Sequence, residues 1–355
     1  MKTIVRPARL LLVAIPVLLG AATEKPAFLP KEGASQTKKF SVESEMTLED
    51  MTVEMNGTDV SSMAGDVEMG WKVAQTLAVT DHYEGTADGR PSKLRRSYDE
   101  IALKTHISGS NPVMGDQETD IPAKSELEGM TVVFSWNDAD SDYDVAYADD
   151  ADGDEELLSD LAEEMDLRGF LPKGDVEVGA TWEVPVDAVR HVLGVGGDLK
   201  LRPTGESSGM TGMDNFSPHE LMPGLEGKFT AVYGGPREEE GVRVGVIQLT
   251  LEAKAARDLT DKLDEMQEQI KENLPPGAEG IELDFTAFDV EYSYDCEGEL
   301  LWNLETGLPF ALQLSGEVGI TMDTSMNMSG AQGDNEIEQS MTFGGTQTIS
   351  LTTGE

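Results

Sequence analysis

The chain reads as an α+β protein that is predominantly antiparallel β, with strongly curved, half-barrel-like sheet packed on one long amphipathic helix and short helices. Three observations predict this. From Phe310 to Met328 every second residue is apolar or small, which is the period of a strand with one buried and one wet face. Leu259, Leu263, Met266, Ile270 and Leu274 recur at spacings of four, three, four and four, the stripe of a helix that Pro275-Pro276-Gly277 stops. Further alternating stretches cover Phe40 to Met55, Val67 to Val79, Leu94 to Ile107, Met130 to Trp136, Lys228 to Tyr233 and Val242 to Ala255.

Taken in order, the N-terminus comes first. Lys2, Arg6 and Arg9 precede an apolar run from Leu10 to Leu19 and the small residues Gly20-Ala21-Ala22, the pattern of a secretory signal peptide cut near Ala22. The expectation is an exported protein, periplasmic or extracellular. The run is shorter than the roughly 20 apolar residues needed to span a bilayer, so no transmembrane segment is expected. Residues 23–37, with Pro26 and Pro30 and no periodicity, read as a flexible leader.

Residues 38–193 form an N-terminal β-rich subdomain, 194–225 a connector rich in Gly, Pro and Met, and 226–355 a C-terminal helix plus meander. Phase changes at Leu48 to Met51 and at Val246 to Ile247 predict β-bulges. Short helices are expected over Glu155 to Leu167 and Val186 to Leu193. In the C-terminal third, Cys296-Glu297-Gly298 and Glu305-Thr306-Gly307 read as hairpin loops. Together they place Tyr292, Trp302 and Phe310 in one aromatic row and make a four-strand meander. Gly316 and Gly319 are the expected bends of the long strand, which is too long to run straight.

Charge narrows the partners. Lys and Arg number 26 against 68 Asp and Glu, a net charge of −42 that becomes −45 once Lys2, Arg6 and Arg9 leave with the signal. Such a field repels nucleic acid and anionic membranes, so neither is an expected partner. One cysteine forms no internal disulfide, and Cys296 continues the alternation of Phe288, Val290, Tyr292 and Tyr294, which marks a buried inert thiol.

Motifs for catalysis or metals are each matched by a blander account. Gly205-Glu206-Ser207-Ser208-Gly209 has the Gly-x-Ser-x-Gly form, but Pro203 before it and Met210-Thr211-Gly212 after it give no strand-to-helix elbow, which favours a surface loop over a serine hydrolase. The acids Asp138, Asp140, Asp142, Asp144, Asp149, Asp150, Asp152 and Asp154 are oxygen-rich. Both Ca²⁺-loop registers lack glycine at position six, leaving weak Ca²⁺ association against a solvated acidic loop. Met322, Met326 and Met328 are soft thioethers of the type that selects Cu(I), and also of the type that fills cores. The four histidines show no ligand spacing, and no cofactor, metal site or enzymatic activity is expected.

The sheet-plus-helix pattern over Leu259 to Leu351, with the hairpin segment Gly298-Glu299-Leu300-Leu301-Trp302-Asn303-Leu304-Glu305-Thr306-Gly307, resembles exported bacterial half-barrel proteins such as the periplasmic lipoprotein carriers and lipid-binding lipoproteins. Leu171 to Trp182 is similar to a Pro, Gly and Trp segment of uncharacterised secreted bacterial proteins. The first resemblance implies a lipid or acyl chain held between curved sheet and helix. Tyr292, Trp302, Phe310, Leu312, Met322, Leu263 and Met266 are the expected lining residues. The alternative is a structural or interaction module with an acidic, Ca²⁺-associating surface.

Overall fold

A computed structural model describes residues 24–65, 67–111, 115–151, 153–204, 224–260, 263, 282–330 and 333–354. Among them fourteen strands form one open, almost wholly antiparallel sheet. The N-terminal half supplies β1 (Ser35–Met55), β2 (Thr58–Asp59), β3 (Glu68–Ala87), β4 (Arg90–Asn111), β5 (Gly115–Lys124), β6 (Thr131–Asn137) and β7 (Asp142–Tyr147). After β8 (Thr181–Glu183) and β9 (Arg202–Pro203), the C-terminal half supplies β10 (Glu226–Glu239), β11 (Val242–Asp258), β12 (Glu282–Asn303), β13 (Leu308–Gly330) and β14 (Gly333–Gly354).

The main path runs β7-β6-β4-β3-β1-β14-β13-β12-β11-β10-β8. Its two halves meet where the first and last long strands pair, from Thr37 opposite Gly354 to Met55 opposite Ile337. The regions expected as two β-rich subdomains therefore contribute to one sheet. Tight turns follow glycine: Asp88-Gly89, at φ 51° and 76°, closes β3 onto β4 in the left-handed region that suits the twist of a two-residue hairpin.

The long alternating run is a single strand, β13, of 23 residues, well beyond the usual 3 to 10 or so. Adjacent strands pass very closely in β13 and β14. A Cβ on Gly316 would lie 2.0 Å from the Asp295 carbonyl oxygen, and one on Gly345 only 1.9 Å from that of Glu45, so these positions admit glycine alone. The bulge expected in β1 lies between Leu48 and Asp50. The phase change at Val246 to Ile247 coincides with a register shift between Tyr233 and Gly235 on the facing strand, β10.

Several expectations are corrected. Cys296-Glu297-Gly298 is not a turn: β12 runs through it, pairing Gly298 with Leu249 on one side and Leu314 on the other. The expected four-strand meander is thus three strands, since glycine here serves close packing and not a reversal. The hairpin at Glu305-Thr306-Gly307 is present, with Leu300 opposite Leu312. Its register slips between Leu301 and Trp302, so Trp302 faces Pro309 and Phe310 is the extra residue of a bulge.

A helix spans Val186–Leu193, here α2, following a single turn, α1 (Ser61–Ala64). Glu155 to Leu167 holds only a 3₁₀ turn at Glu155–Leu158, where the Asp154 side chain accepts from the Glu156 backbone N–H. The long amphipathic helix expected over Leu259 to Leu274 lies almost wholly outside the described residues. Leu259 and Leu263, its first two stripe residues, are both buried against the main core.

Candidate functional site

One face of the sheet is covered and carries the core; we call it the inner face, and name its two ends from β1, near (Ser35) and far (Met55). Inner-face residues from β4 through β10 share one cluster with Leu157, Met165, Leu167, Phe170, Val189 and other residues of the segment 148–201. That segment leaves the sheet after β7 at one edge and rejoins it at β8, at the other.

At the near end the alternation places charges where apolar groups belong. Lys38 is in phase with Phe40 in β1, Asp81 with Val79 and Tyr83 in β3, and Arg96 with Leu94 and Tyr98 in β4, and all three charged side chains are fully buried. The Lys38 ammonium lies 2.6 Å from Asp81 and donates to the Tyr83 hydroxyl at 3.0 Å. Arg96 grips Asp81 with two hydrogen bonds of 2.7 and 2.9 Å. The covering segment completes the set, because Asp166 accepts from both Lys38 and Tyr83, while Arg96 also donates to the carbonyls of Ala162 and Glu163.

Burial opposes each charge and the partners offset it. Burial alone would raise the Asp81 carboxyl, yet Arg96 and Lys38 hold it at about 2. Burial would lower Lys38, but Asp166 and Asp81 leave it above its ordinary value. Glu163 goes the other way: burial pushes it up to about 7 despite Arg168 at 2.5 Å. A buried pair with every partner in place is close to neutral in net stability, whereas removing one member strands a charge at about 3–5 kcal/mol. The cluster therefore works as an anchor that fixes where 160–168 crosses the sheet. Sequence periodicity missed it, although a charged residue in phase with an apolar stripe was the available signal.

Residues 24–34, within the leader expected over 23–37, cross the same end as a strap. Glu24 pairs with Val176 through its backbone and accepts from Tyr233 at 2.8 Å, and Trp302 donates its indole N–H to the Ala27 carbonyl at 3.1 Å. Phe28 is buried edge-on to Tyr83 beneath Arg168. Pro26 and Pro30 are buried in this strap, where each ring fixes φ, while Lys25, Leu29 and Lys31 between and beyond them are exposed.

The expected lining residues divide. Trp302, Leu312, Met322 and Leu263 are buried in the inner-face core, with Tyr292 packed against it and donating to Gln347 at 3.1 Å. Phe310 is on the opposite face, in a small cluster with Val244, Val246 and Leu301, because the bulge turns it outward. Met266 lies outside the described residues. Cys296 is buried, and burial raises its thiol to about 11, an unreactive form.

Burial along the inner face is uneven. At the near end Leu77, Tyr83, Leu300 and Trp302 are at most 1% exposed. At the far end Met51, Met55, Phe285, Met326 and Met341 are only half-buried. Trp71, also half-buried, stacks on Phe343 there with ring centroids 4.6 Å apart.

Elsewhere, the acidic loop is tied up locally. Asp138 accepts from Trp136, Asp140 and Asp144 from Asn137, and Asp149 from Arg95. Among the described residues no group of three or more His, Cys, Asp or Glu is placed to hold a metal. The Ser207 motif lies outside the described residues. No described helix is long and apolar enough to cross a membrane. No protein-family model matches the chain, and no curated protein matches it.

Proposed function

We propose that this chain is an exported, non-enzymatic envelope or secreted protein that holds an apolar ligand, a lipid or acyl chain, against the far half of the inner face. In this reading the sheet is strongly curved and the ligand lies on its inner face. The burial gradient carries the proposal: the strap and the segment 148–201 seal the near end, while the far end presents half-buried methionines and aromatics. A partly open apolar surface of this kind accommodates flexible chains, since thioether side chains adapt to irregular shapes. The bulges in β1, β10, β12 and β13 and the close approaches at Gly316 and Gly345 support the curvature, because bulges and glycines are the devices that bend long sheets.

Native mass spectrometry of mature protein purified without detergent tests this reading. The expected result is a retained lipid mass, or uptake of added oleate after delipidation, that the variant Phe285→Asp loses while keeping the wild-type circular dichroism. Clean apo-protein that ignores added fatty acids and phospholipids would leave the module with an acidic surface as the better account.

A further inference from the structure

We propose that Met51, Met341 and Met322 form a soft-metal site that takes Cu(I). The register places them side by side on three neighbouring strands, Met51 of β1 opposite Met341 of β14, and Met341 opposite Met322 of β13. Directly opposed residues on one face of an antiparallel pair have Cβ atoms about 4.5–5.5 Å apart, within reach of flexible thioethers that lean toward a common centre. Met341 is the middle member, so both neighbours approach it from opposite sides.

All three residues are in phase with the inner face. Gln339, on the inner face of β14, donates to the Met51 sulfur at 3.8 Å, which places that sulfur on the inner face beside the row. Met322 is buried and Met51 and Met341 half-buried, so the row is shielded without being sealed. Three thioethers make a neutral, soft donor set, which selects Cu(I) over Zn²⁺, Ca²⁺ or Mg²⁺. The acidic chain raises the local concentration of any cation. Unlike imidazole or thiolate, a thioether has no proton to lose, so binding by this row is independent of pH.

Delipidated mature protein titrated with Cu(I) in ascorbate, in competition with bathocuproine disulfonate, tests the site without reference to lipid uptake. One equivalent should bind with the same affinity from pH 5 to pH 8, and Ag(I) should displace it. Met51→Leu, Met322→Leu and Met341→Leu should each weaken binding at least roughly tenfold, and the triple variant should abolish it with circular dichroism unchanged. Quenching of Trp71, whose Phe343 partner is two residues from Met341 on the same face, gives a second readout, with Trp71→Phe as its control. Absence of competitive binding, binding that survives the triple substitution, or affinity that falls with acid would each overturn the proposal.

Discussion

Glu163 is the residue whose charge most opposes the fold. Its carboxyl, ordinarily near 4.5, stands at about 7 because it is buried between Glu164, Asp166 and the Arg168 guanidinium. Between those two values the folded protein holds a proton that the unfolded chain releases. Stability therefore falls as pH rises from 4.5 to 7, by at most roughly 3 kcal/mol at 1.36 kcal/mol per pKa unit. Asp81, held at about 2, acts oppositely: its contribution is complete above its ordinary 3.8 and is lost as pH falls through 2. Glu163→Gln should remove the decline between pH 4.5 and 7 and leave the acid limb intact, as read by urea unfolding at several pH values. A variant whose stability declines as steeply as wild type would show that the slope comes from other groups. None of this was legible from composition, since 68 acidic residues hide the few, Asp81, Glu163 and Asp166 among them, that are buried.

At the level of elements, period-two alternation found β1, β3, β4, β6, β10, β11 and β13, and the 3.6 period found α2, because each has one buried and one exposed face. It failed where glycine carried two meanings. Gly298 was read as a turn, but in β12 it is where the strand passes Gln313, whose carbonyl oxygen would lie 1.9 Å from a Cβ. At Gly316 the alternation continues on both sides, and the strand runs through it unbroken. The same alternation carries the inner face: Tyr292, Leu312 and Met322 keep phase with the core, whereas one bulge residue sends Phe310 outward. The close-approach account makes a paired prediction. Gly316→Ala forces β12 and β13 apart and should cost about 1–3 kcal/mol. Gly109→Ala in β4, whose Cβ would meet only the Glu68 carbonyl at an ordinary 3.8 Å, should be neutral or slightly stabilising. Equal effects on the denaturation midpoint would remove close approach as the reason for the glycine.

Across the whole molecule, the pairing of β1 with β14 decides cooperativity. Without it the chain falls into two sheets, β1 with β3 to β7 and β8 with β10 to β14, each left with a long unpaired edge and half of an inner face. The anchor does not join them independently, because Lys38 sits in β1, the strand that β14 covers. The covering segment 148–201 also needs both: its Asp166 is held by β1 and β3, while β8 pairs with β10. The protein should therefore unfold in one transition despite its size, with β3 and β12 amides exchanging hydrogen through the same global opening. Contacts that join residues 37–55 to 337–354 also predict slow folding, since most of the chain must be ordered before they form. Ending the chain at Gly330, which deletes β14, should abolish protected amides in β3 and β4 as well as in β12 and β13, as measured by hydrogen exchange. Protection that persists in β3 and β4 would mean that the N-terminal strands fold alone and that the two halves are separate units after all.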